Sequence, residues 1–145
     1  MPSVLSKPTE EHTIGVAVNR CYGGFSLSEK AVEILRTRMG DPKIQSYSFQ
    51  SYYSDDDDDG RYSRRHPVLI EVINELGEEA DGPFAEIDVE YIEEKYKRFY
   101  SISEYDGMEG VKINYNKFTN HEIKQILYSE DDDSTKIQKM KQIIQ

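Results

Sequence analysis

At 145 residues the chain is long enough for one hydrophobic core and short for two, given a usual scale of about 100 to 150 residues per domain. Acidic side chains outnumber basic ones 28 to 18, and the resulting net charge of −10 opposes the field a phosphate backbone needs, so direct nucleic-acid binding is not expected. With no apolar run near the roughly 18 residues of a membrane span, one cysteine and three scattered histidines, the composition also argues against membrane insertion, an internal disulfide and a zinc site; no metal or cofactor is expected, and the chain reads as soluble and intracellular.

Residues 1–12 hold two prolines and two serines with no apolar periodicity and read as a flexible leader. Ile14, Val16 and Val18 then alternate with small non-polar residues, which predicts a strand covered on both faces. The strand breaks at Gly23-Gly24. Ser26-Leu27-Ser28-Glu29 has the spacing of a capping box, so a helix is expected from there, with Leu27, Ala31, Ile34 and Leu35 on its apolar face and Gly40-Asp41-Pro42 at its end.

From 46 to 63 the composition turns to Ser, Tyr, Asp and Gly, with aspartates at 55 to 59, and predicts a long exposed loop. Its tyrosines, Tyr47, Tyr52, Tyr53 and Tyr62, give it rings able to dock on a surface. His66-Pro67 opens a second helix carrying Leu69, Val72, Ile73 and Leu76, closed by Gly77. Ala85 to Tyr91 alternates apolar and acidic residues as a strand with one wet face, and Asp106-Gly107 between two strand-like runs predicts a tight β-hairpin. Thr119-Asn120-His121-Glu122 repeats the capping-box spacing before a short helix. After an acidic spacer, Ile137, Met140, Ile143 and Ile144 share one face of a tail helix too short to be stable without a partner surface.

The first candidate site is the Gly-Gly turn. A strand, a glycine turn and a helix N-terminus together aim N–H groups at one spot and can hold an anion. The spacing is neither a dinucleotide fingerprint nor a P-loop, and chain geometry alone also explains the glycines. A ligand site there would gather Asn19, Arg20, Gly23, Gly24, Arg65, Asp106 and Glu109, provided the Asp106 turn and Arg65 reach the strand end. Cys21 is expected in the core, and His66 is its one candidate base for covalent chemistry; no catalytic residues are assigned.

Val18-Asn19-Arg20-Cys21-Tyr22-Gly23-Gly24-Phe25-Ser26-Leu27-Ser28, then Arg65-His66-Pro67-Val68-Leu69-Ile70 through Val72, Glu75-Leu76-Gly77 and Ala80-Asp81-Gly82, and finally Glu104-Tyr105-Asp106-Gly107-Met108-Glu109 form an ordered set of motifs. The set resembles a family of small uncharacterised proteins of bacteriophages and large DNA viruses, over about residues 14–113. The resemblance implies a viral origin and a compact domain, and no activity. The long Tyr/Asp loop, the leader and the C-terminal extension depart from the family's short form.

The expectation is an α+β fold: a small single domain over 13–128, mostly antiparallel sheet with two main helices packed on it, followed by a spacer and tail helix over 129–145. The function read from this is that of a non-enzymatic viral binding protein, a minor virion component or a host-interaction factor, located in the host cytoplasm or the virion. Its partner would be a viral or host protein, contacted through Tyr52, Tyr53, Tyr62, Ile137, Met140, Ile143 and Ile144, with homo-oligomerisation left open. The alternative is a nucleotide or small-anion binder, or a hydrolase, with its site at Gly23-Gly24.

Overall fold

A computed structural model describes residues 12–50 and 60–144. Residues 1–11 of the leader, the aspartate run and Tyr52 and Tyr53 lie outside the described residues. The elements run β1 (Thr13–Asn19), α1 (Glu29–Met39), α2 (Pro67–Leu76), β2 (Ile87–Glu93), β3 (Tyr100–Tyr105), β4 (Met108–Ile113), α3 (Tyr115–Leu127) and α4 (Asp133–Ile144). This is an α+β fold, in two compact units that divide between Ile113 and Asn114.

In the first unit the strands pair two by two, both antiparallel: β1 with β2 in a register that sets Ala17 opposite Val89, and β3 with β4 with Ile102 opposite Val111. Residues along β1 alternate between two cores. Ala17 belongs to the larger one with Leu27, Leu35, Leu69 and Val72 from the helical side, whereas Val16 and Val18 pack with Tyr100 and Ile102 of the hairpin. The predicted two-faced burial of β1 follows from this arrangement. The expected wet face of β2 is partly covered as well, since the Glu90 carboxylate accepts from the Val111 amide and so ties the hairpin to the first sheet.

Helix α1 starts later than the capping-box spacing suggests. Ser26 is held extended because its carbonyl accepts from Gly82 N–H, while the Ser28 amide donates to the Ala80 carbonyl. The cap is therefore Ser28, whose Oγ accepts from Ala31 N–H at 3.2 Å, and Leu27 is buried ahead of the helix instead of on it. Gly40 closes α1 in the left-handed conformation, as expected. In α2, Pro67 fills the first turn and His66 Nδ1 caps the Val68 amide.

The flanks of the segment read as an exposed loop are not exposed throughout. Phe49 is fully buried, Tyr62 meets it edge-on at 5.5 Å between ring centroids, and the Tyr62 hydroxyl donates to Asp41. Tyr62 is thus a half-buried structural ring and not a free docking ring. The hairpin turn conforms to expectation: Asp106 and Gly107 both have positive φ, 51° and 92°, the requirement of a type I′ turn.

The second unit is the helix pair α3 and α4. Helix α3 begins at Tyr115 and not near Thr119. No glycine or proline interrupts 114–119, so the helix extends back to Asn114, whose Oδ1 accepts from Lys117 N–H at 2.9 Å. No helix among the described residues is long and apolar enough to cross a membrane.

Candidate functional site

Three loops meet where β1 ends: the Tyr22-Gly23-Gly24 turn, the 82–86 connection ahead of β2, and the β3–β4 turn. Asn19 joins them. Its Nδ2 donates to the carbonyls of Cys21 and Gly107, each at 2.8 Å, and its Oδ1 accepts from Glu86 N–H at 2.8 Å. The approach is close enough to require glycine at two places. A Cβ on Gly23 would fall 1.6 Å from the Phe84 carbonyl oxygen, and one on Gly107 would fall 2.5 Å from that of Tyr22.

Beneath the junction lies a fully buried ion pair. Arg64 reaches Glu109 with both terminal nitrogens, Nη1 to Oε1 at 2.7 Å and Nη2 to Oε2 at 3.0 Å, the fork geometry that guanidinium and carboxylate favour. The guanidinium also stacks on the Phe25 ring, 3.6 Å from its centroid, and its Nε donates to the Phe49 carbonyl. The pair serves the side of β1 that faces away from β2. The Ala17 amide donates to the Arg64 carbonyl at 2.8 Å, Arg64 Nη1 donates to the Ala17 carbonyl at 3.0 Å, and the Asn19 amide donates to Glu109 Oε1 at 3.0 Å. Burial of two charges is tolerable here because each is paired and hydrogen-bonded.

Of the residues predicted to form a ligand site, Asn19, Gly23, Gly24, Asp106 and Glu109 do come together. Arg20 borders them and is held by Asp88 at 3.4 Å and Glu90 at 3.3 Å. Arg65 does not join. It points to the connection between β2 and β3, where Nη1 donates to the Lys97 carbonyl at 2.9 Å, and its neighbour Arg64 enters the junction instead. The choice between adjacent arginines depends on the Ala17–Arg64 backbone bond, for which local sequence carries no signal. Cys21 is half-exposed and not core: its Sγ donates to the Phe84 carbonyl at 3.1 Å and accepts from Gly23 N–H at 3.4 Å.

Sequence reasoning also passed over Phe84. Pro83 and Phe84 occupy the middle of a turn closed by Ala85 N–H to the Gly82 carbonyl at 3.1 Å, and Phe84 has φ of 64°. Proline before a residue of positive φ is the pattern of a type II turn, whose third position favours glycine. A phenylalanine there carries backbone strain of roughly 1–3 kcal/mol. Its ring is 87% exposed and recovers little by burial.

Among the described residues every buried side-chain nitrogen and oxygen has a hydrogen-bond partner, and no three metal-ligating side chains cluster. The Gly-Gly turn is not continuous with a helix N-terminus, since α1 starts only after Ser28. Comparison with family models, curated proteins and solved structures finds no match for this chain.

Proposed function

We propose that the protein is a non-enzymatic binding protein of viral setting, a virion component or a host-interaction factor, and that its C-terminal helix pair is the element that engages a protein partner. One observation carries this reading. On α4, Ile137 and Ile144 lie seven residues apart and exposed, and no residue of that helix is buried. With Met140 between them they have the i, i+3, i+7 spacing of a helix that seats in an apolar groove. Charge is partitioned in the same sense. Residues 114–145 carry five lysines and five acidic side chains, so the whole net charge of −10 resides before Asn114 and the helix pair itself is neutral.

The junction at Gly23-Gly24 supports the small-anion alternative less well. The Gly23 amide is taken up by Cys21 Sγ and the buried Glu109 carboxylate by Arg64, so neither is offered to a ligand, and the carboxylates of Glu86, Glu104 and Asp106 on the same loops, uncompensated among the described residues, repel an anion.

Affinity purification from infected cells, with quantitative mass spectrometry, tests the proposal when wild type is compared with an Ile137→Asp/Ile144→Asp variant whose helicity is verified by circular dichroism. At least one viral or host protein is expected with the wild type and absent with the variant. Indistinguishable protein sets from the two baits sink the reading.

A further inference from the structure

The three loops of the junction each carry an exposed aromatic ring: Tyr22 is 62% exposed, Phe84 87% and Tyr105 77%. Their backbones are fixed against one another by the close approaches at Gly23 and Gly107 and by the Cys21–Phe84 hydrogen bond, so the rings are mounted on one rigid support. The same loops carry the carboxylates of Glu86, Glu104 and Asp106, and no ion pair among the described residues neutralises any of them. The adjacent cations are engaged already, Arg20 by Asp88 and Glu90 and Arg64 by Glu109. Glu104 also fixes the hairpin turn, its Oε1 accepting from Gly107 N–H at 2.6 Å.

The geometry points to this end of the first unit as a second binding surface, one that takes a basic segment of a protein partner and seats cationic side chains against the Tyr22, Phe84 and Tyr105 rings. Charge complementarity selects that occupant. Exposed rings attract cations through their negative faces, and uncompensated carboxylates beside them add to that field and repel an acidic or anionic ligand. Phe84 supplies independent support, because it holds a ring outward from a turn position that favours glycine, with neither burial nor a backbone requirement to retain it. The inference goes beyond the C-terminal docking proposed above and uses none of the same residues, so either can fail alone.

The test is fluorescence anisotropy of a labelled peptide of alternating arginine and glycine, at physiological salt, against the full chain. Matched peptides with glutamate or leucine in place of arginine serve as controls. Three proteins are compared: wild type; a ring variant, Tyr22→Ser/Phe84→Gly/Tyr105→Ser, that leaves every charge in place; and a charge variant in which Asp55 to Asp59 are all replaced by asparagine. The expected result is arginine-peptide binding that weakens about tenfold or more in the ring variant and stays within about threefold in the charge variant. Equal binding by the ring variant, loss confined to the charge variant, equal affinity for the leucine peptide or no binding by wild type each overturns the inference. Should the triple ring variant fail to fold, Phe84→Gly alone, which relaxes its turn, is measured in its place, with about a threefold loss expected and no loss overturning the inference.

Discussion

Replacing Arg64 with methionine leaves the Glu109 carboxylate buried without its counter-charge, and a variant of this kind is expected to lose about 3–5 kcal/mol of stability in urea unfolding. Adding Glu109→Leu removes the stranded charge. The double variant should then recover at least about 1 kcal/mol relative to the sum of the single losses, and strict additivity in the double-mutant cycle refutes the coupling. Recovery stays incomplete because the Ala17 and Phe49 carbonyls and the Asn19 amide lose their partners. At this scale the sequence was legible only in part. Asn19 and Glu109 stand out as polar residues beside apolar strand positions, whereas Arg64 and Arg65 are neighbours of identical chemistry, and a backbone bond to Ala17, 47 residues away in the chain, decides which is buried.

Elements read more reliably where local geometry dictates the outcome. Asp106-Gly107 fixes the hairpin and Pro67 and Gly77 bound α2, because each imposes a backbone conformation on its own. Caps read less well: Ser26 and Ser28 are equally competent, and the pairing of 26–28 with 80–82 chooses between them. The clamp of Tyr62 on Asp41 is a further long-range element, and it is sensitive to pH. The Tyr62 hydrogen bond foremost, then the Lys43 amide and the Arg61 charge, hold the Asp41 carboxyl below its usual range. The same bond, with desolvation, pushes the Tyr62 phenol above its own. A depressed acid stabilises the fold above its unfolded pKa, near 3.8, and loses that contribution as pH falls through its folded value. A raised phenol contributes below its unfolded pKa, near 10.0, and loses that as pH rises through its folded value. The stability difference between wild type and Tyr62→Phe should therefore be flat from about pH 5 to about pH 9 and narrow at both extremes. A difference that is constant from pH 2 to pH 11, read from urea midpoints, contradicts the clamp.

For the whole molecule, both hydrophobic cores draw their buried residues from before Asn114, and the helix pair after it buries none. A chain ended at Ile113 is expected to unfold in one cooperative transition with a midpoint close to that of the full chain, as circular dichroism during urea titration would show. A broad, non-cooperative loss of signal instead places part of the core's support in the helix pair. The α+β class and the order of elements were legible because apolar periodicity switches cleanly between helix and strand along the chain. The placement of the hairpin against the second face of β1 was not, since Val16 and Val18 read as buried without naming what buries them.

The Arg64–Glu109 pair also determines what β1 can do in company. That strand is short and apolar and, among the described residues, hydrogen-bonded to one neighbouring strand, the profile that invites another chain to add itself edge to edge. By taking the amides of Ala17 and Asn19 and the Ala17 carbonyl, two side chains and one peptide group occupy the place a third strand would need. The contacts of this pair thus also stand as a guard against edge pairing, and a chain that loses the Arg64 side chain frees the Ala17 carbonyl on that edge as well as weakening its fold.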